Sequence, residues 1–152
     1  MKDSEILEGL IADVVSVLRS PEIPGIGAGR VLRSTSAEDF IFRDVEGQLP
    51  AIGVTDVDLT PVERVGIGSK KWKGRVELEI AVGAPAVGES SAEGRDLIRA
   101  VLGEVNKRLD DRETPSQNYR YRFLGFSFSE QQRTDSVVGV LRYEAGGVFG
   151  NE

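Results

Sequence analysis

The sequence predicts an α+β domain in which a mixed or antiparallel β-sheet carries two main α-helices. Three observations point there. Residues Arg75–Val82 place Val76, Leu78, Ile80 and Val82 on alternate positions with Arg75, Glu77 and Glu79 between them. A strand turns successive side chains to opposite faces, so this is a strand with one dry and one wet face. Ala92–Leu109 instead repeats its apolar residues at helical spacing, and so does the opening stretch of the chain. The predicted order is helix, one or two short strands, two long strands, helix, two long strands, which describes helices packed on one side of sheet hairpins.

A chain of 152 residues is enough for one ordinary core, so a single domain over 1–152 is expected, with 146–152 a flexible or edge-pairing tail. Hydrophobic content is 39%, which is lean and suggests that neighbouring subunits complete part of the apolar surface. The net charge of −6 repels a phosphate backbone, so sequence-specific nucleic-acid binding is not expected. Cysteine and histidine are both absent. That removes disulfides, thiolate nucleophiles, histidine triads and the usual imidazole or thiolate metal sites. No apolar run reaches the roughly 18 residues of a membrane span, and Asp3, Glu5 and Glu8 do not suit a signal peptide. Cytoplasmic residence is the expectation.

Asp3 or Ser4 can cap the first helix, whose stripe is Ile6, Leu7, Leu10, Ile11, Val14, Val17 and Leu18. Pro21 and Pro24 should stop it. Pro24–Gly29 is glycine-rich, but it follows a helix and leads into a short strand at Arg30–Arg33, the wrong setting for a phosphate cradle. Phe40 and Phe42 suggest a short edge strand, and Asp44–Gln48 a polar loop.

Leu49–Leu59 is the first long strand. Ile52 and Val54 share a face while Val57 and Leu59 fall on the other, so a bulge or cover on both faces is expected. Asp56 and Asp58, two apart, would share a face and with Glu63 could hold Mg²⁺ or Ca²⁺; plain solvated carboxylates are the alternative. Gly66–Gly74 is predicted as the connection into the Arg75 strand. It gathers Lys70, Lys71, Trp72 and Lys73 with Arg75 just beyond. Three readings fit: a nucleic-acid contact, a protrusion docking on an acidic protein, or a solvated hairpin tip with Trp72 folded back on the sheet.

The second helix, capped by Ser90 or Ser91, buries the stripe Leu97, Ile98, Val101, Leu102, Val105 and Leu109, with Leu102 mid-stripe against the sheet. Asp110–Asn118 is a polar loop. In Tyr119–Ser129, Tyr119, Tyr121 and Phe123 share one face and Leu124, Phe126 and Phe128 the other, a change that Gly125 permits through a bulge. The alternating Arg120 and Arg122 either ion-pair or clamp nucleic acid. Glu130–Asp135 turns the chain into a last strand, Val137–Ala145.

Taken together, the opening helix, Leu49-Pro-Ala-Ile-Gly-Val54, the strand Val76–Val82 leading to Ala92–Leu109, and Val137-Val-Gly-Val-Leu-Arg-Tyr-Glu144 resemble the tail terminator (tail-completion) proteins of long-tailed bacteriophages and prophages, including the Mu-like group. The resemblance implies a homo-oligomeric ring, commonly a hexamer, that ends tail-tube polymerisation and offers a surface to head or neck proteins. It implies assembly in the bacterial cytoplasm, residence in the virion tail, no cofactor and no enzyme activity. Other phage neck or tail assembly roles stay open, as does a carboxylate-metal enzyme centred on Asp56 and Asp58. Lys70, Lys71, Trp72, Lys73 and Arg75 are the candidate partner-binding residues.

Overall fold

A computed structural model describes residues 3–33, 50–64, 66, 71–85, 91–114, 119–128 and 136–149. The elements are α1 (Asp3–Arg19), β1 (Val31–Arg33), β2 (Ala51–Arg64), β3 (Trp72–Pro85), α2 (Ser91–Leu109), β4 (Arg120–Phe128) and β5 (Ser136–Phe149). The five strands form one sheet in the order β1-β2-β3-β5-β4, parallel between β1 and β2 and antiparallel elsewhere. The α+β expectation therefore holds, including the mixed sheet and both helices.

Both helices lie on one face of the sheet. From β4, the Tyr121 hydroxyl reaches α1, donating towards Leu10 O at 3.2 Å and Asp13 Oδ2 at 3.0 Å. From β5, the Tyr143 hydroxyl donates to Asn106 of α2 at 2.8 Å. Phe123 and Tyr143 pair across the strands with ring centroids 5.4 Å apart, so these side chains share a face. Burial pushes both phenols above their ordinary pKa, with the charge of Asp13 adding to the effect at Tyr121 and that of Asp110 at Tyr143.

The core joins the helical stripes to that sheet face. Ile6, Leu10, Ile11, Val14 and Leu18 come from α1, and Ile98, Val101, Val105 and Leu109 from α2. Each large aliphatic side chain so buried contributes about 1.5–3 kcal/mol relative to exposure. Leu102 does not sit mid-stripe as expected: it is half-buried on the flank, because the helix is rotated to centre Ile98, Val101 and Val105 on the sheet. Gly94 brings the start of α2 onto the end of β3, where a Cβ would stand 2.9 Å from the carbonyl oxygen of Pro85.

Arg108 of α2 donates to the carbonyl of Val17, an acceptor that the end of α1 leaves without a helical partner, and to that of Pro21 just beyond the helix. Ile23 and Ile26 then turn inward through a bridge, so Pro24–Gly29 is the expected helix-to-strand connection, with a short 3₁₀ turn at Ala28–Arg30. Arg33 pairs with Glu8 and ties β1 to α1; this hydrogen bond holds the Glu8 carboxyl below its ordinary pKa.

Two strand expectations are corrected and a third is made specific. Trp72, Lys73 and Gly74 belong to β3, not to the connection before it, because β2 runs on to Arg64 and pairs with them. Of the two alternatives for the end of the chain, Gly146–Phe149 take the pairing one: they extend β5 along β3, from Gly146 opposite Arg75 to Phe149 opposite Trp72. In β4 the predicted bulge falls between Phe123 and Gly125, and its extra residue restores the phase. Phe126 and Phe128 therefore face the same side as Tyr121 and Phe123, opposite to expectation, and Leu124 is left 43% exposed. The Phe40–Phe42 strand, the Asp44–Gln48 loop and the Glu130–Asp135 turn lie outside the described residues.

Candidate partner-binding surface

The second face of the sheet carries neither helix. On β3, Arg75, Glu77 and Glu79 alternate with the core residues; on β5, Arg142 and Glu144 do the same, and β4 adds Arg122. Register brings Glu77, Glu144 and Arg122 into one row across three strands. Glu144 sits between two guanidinium groups, 2.8 Å from Arg122 and 3.7 Å from Arg75. Its side chain is 16% exposed, against 70% for Arg122 and 54% for Arg75. The carboxylate is recessed and the cations project, so an approaching surface meets guanidinium first.

Thr60, Arg75, Glu77, Leu124 and Glu144 line a shallow cavity of about 170 Å³ on this face. Leu124 is there because of the β4 bulge, and Val148, paired opposite Lys73 and 45% exposed, is a second apolar residue on the same side. A larger cavity of about 460 Å³ lies between the helices, lined by Ser16, Val17, Ser20, Pro21, Arg108 and Arg112. Its cations are committed: Arg108 bonds Glu104 and two carbonyls, and Arg112 bonds Asp13 through two nitrogens. These bonds brace α1 against α2 and the residues that follow it.

The structure separates the residues that the sequence grouped. Lys70 lies outside the described residues, and Lys71 is half-buried just before β3. Trp72 opens β3, pairs with Arg64 and Phe149, and packs half-buried against the core. Lys73 and Arg75, two apart, fall on the helix-free face, while Trp72 falls on the opposite one. Strand alternation therefore prevents Trp72 and Lys73 from forming one basic aromatic platform of the kind that stacks nucleic-acid bases. Sequence reasoning missed Leu124, Val148 and Glu144 as parts of this surface. The signal for Leu124 was Gly125, whose bulge was predicted without its consequence.

Asp56 and Asp58 do not occupy equivalent backbone positions. A register shift between them pairs Asp56 with Leu78 and Asp58 with Glu77, residues on opposite faces of β3. The two-residue spacing on which a shared metal site depended is lost at that bulge. Among the described residues no three carboxylates gather as a metal site would need, and no helix is long and apolar enough to cross a membrane.

No protein-family model matches the chain, and no curated protein matches it. Among solved structures, the chain is similar to one from the virion of a native gene transfer agent (GTA) particle. That similarity has a TM-score of 0.48 and 14% identity, over 89% of this chain and 84% of the other.

Proposed function

We propose that the chain is a tail terminator-like structural protein of a bacteriophage or prophage, forming a homo-oligomeric ring on the end of the tail tube. In this role it stops tube polymerisation and offers a joining surface to head or neck proteins; it performs no chemistry. The sequence resemblance supplies the identity of the assembly. The observation that carries the reading is the asymmetry of the sheet, one face closed by the chain's own helices and the other left with projecting cations around Leu124 and Val148. A ring subunit needs heterologous surfaces that close by rotation, and an ion-pair lattice with isolated apolar residues suits such a contact.

Within this reading, Lys73 and Arg75 contribute to the partner surface and Trp72 supports it from behind. Lys71 directly precedes β3. The test is complementation with a Lys73→Gln, Arg75→Gln, Arg122→Gln variant, followed by electron microscopy of tail tubes. The variant should keep its fold and yield tubes of abnormal length. Tubes of normal length from that variant would reject the helix-free face as the assembly surface.

A further inference from the structure

Among the described residues, the outer edge of β4 is closed in its first half and open in its second. Tyr121 directs its backbone away from β5: its N–H donates to Arg112 O at 2.9 Å, and its carbonyl accepts from the Asp111 N–H at 2.9 Å. The Phe123 N–H likewise donates outward, to Asp110 Oδ1 at 3.1 Å. Asp111 makes this cover possible by adopting φ 64° just after α2, a left-handed conformation that Asp tolerates better than most residues. The cover ends at the bulge.

Beyond the bulge the parity of the ladder changes. With one extra residue between Phe123 and Gly125, the outward positions become Phe126 and Phe128, paired opposite Leu141 and Gly139. Among the described residues nothing pairs with their outward N–H and carbonyl groups. The opposite flank of the sheet is different: β2 continues past β1 with two register irregularities, at Asp56/Asp58 and Pro61/Glu63, and with Pro61 itself. Bulges and proline are how an edge is protected from strand addition, and the end of β4 has neither past Gly125.

Two cations stand beside this open segment. The Arg95 guanidinium lies 4.4 Å from the Phe128 ring centroid and that of Arg99 lies 5.6 Å from it, both from the first half of α2. Phe126 meets Phe128 edge-on at 5.0 Å and holds it in place. Arg99 is neutralised by Asp96 at 3.0 Å, whereas Arg95 has no carboxylate partner among the described residues. A strand added outside β4 would run past these guanidinia on the helix side of the sheet. A second copy pairing its own β4 there would bring a second set of arginines to the same place, so self-pairing is disfavoured.

We propose that Gly125–Phe128 is a docking edge for an extended acidic segment of a partner protein, which adds as a further strand and sets a carboxylate against Arg95. The backbone of Phe126 and Phe128 supplies the ladder and Arg95 supplies the selectivity, the usual division in β-strand addition. This inference does not depend on the tail reading.

The experiment is amide hydrogen exchange by NMR on the full chain, with and without an acetylated, amidated Thr-Asp-Val-Asp-Val-Thr peptide. The expected result is fast exchange at Phe126 and Phe128 in the free chain, slowed at least about tenfold by saturating peptide. Arg95→Glu and the milder Arg95→Gln, both at an exposed position, should each retain the thermal midpoint and weaken binding, by about tenfold for the reversal. A peptide with Lys in place of Asp should not bind. Four results would overturn the proposal: slow exchange at both amides without peptide, no slowing at millimolar peptide, equal binding of the Lys peptide, or binding unchanged in both Arg95 variants. Protection that rises with protein concentration alone would assign the edge to a second copy and equally overturn it.

Discussion

The two faces of the same strands are built on different physics. On β3, Val76, Leu78, Ile80 and Val82 are at most 1% exposed, while Glu77 and Glu79 between them are half-buried and the side chain of Arg75 just before them is 54% exposed. On β5, Leu141 and Tyr143 are fully buried, while Arg142 between them is exposed and Glu144 is held by arginines from two other strands. The inner face is fixed by packing and cannot be altered without cost. The outer face is fixed by register and by ion pairs whose guanidinium ends are exposed, so that they contribute less to stability than the packed face does, with the recessed Glu144 the residue most dependent on them. Among the described residues neither helix covers this face, and it presents the exposed Arg75, Arg122 and Leu124 to an approaching molecule.

The sharpest test of this contrast is a pair of neighbouring substitutions. Leu78→Ala should cost about 2–5 kcal/mol, the usual penalty for a cavity in a core. Glu77→Ala, one residue away on the other face, should stay within about 0.5 kcal/mol. Urea unfolding of both variants measures the difference, and equal losses would dissolve the distinction.

A smaller effect is expected where the inner face is closely fitted. At Gly139 a Cβ would stand 2.6 Å from Ile98 and 2.7 Å from Phe126, between helix and sheet. Gly139→Ala should therefore cost about 1–3 kcal/mol through overpacking. A loss below about 0.5 kcal/mol would mean that α2 can shift to admit a methyl group.

The third test separates the faces by pH. Tyr121 and Tyr143, both on the inner face, have pKa values raised mainly by burial. A group whose folded pKa lies above its unfolded value, about 10 for tyrosine, stabilises fully below that value and loses this contribution as pH rises past it. The urea midpoint should fall as pH is raised beyond about 10, with tyrosinate absorbance appearing together with unfolding. Tyrosinate forming in the folded chain would show that these hydroxyls are open to water.

Much of this architecture was legible in the sequence because each element carries one clear period. The alternation at Arg75–Val82 and the stripes of both helices identify most of what is buried, while the helix rotations that leave Leu7, Val17, Leu97 and Leu102 on the flanks needed the structure. Phase was harder to read than period. A bulge at Gly125 was foreseen, yet the residue it inserts unites Tyr121, Phe123, Phe126 and Phe128 on one face instead of dividing them. The candidate surface was less legible for the same reason. Lys73 and Trp72 are adjacent in sequence and on opposite faces of the sheet, and the recessed Glu144 acquires its partners only when β3, β4 and β5 are laid side by side.

The central claim is that the helix-free face is an assembly surface, and mass in solution tests it most directly. Light scattering over a range of concentrations should give a closed species, as a heterologous contact that closes by rotation requires, and the resemblance to tail terminators implies about six subunits. The Lys73→Gln, Arg75→Gln, Arg122→Gln variant should shift that species to the monomer without lowering the thermal midpoint. A wild-type chain that stays monomeric at every concentration, or a variant that assembles as well as the wild type, would contradict the account.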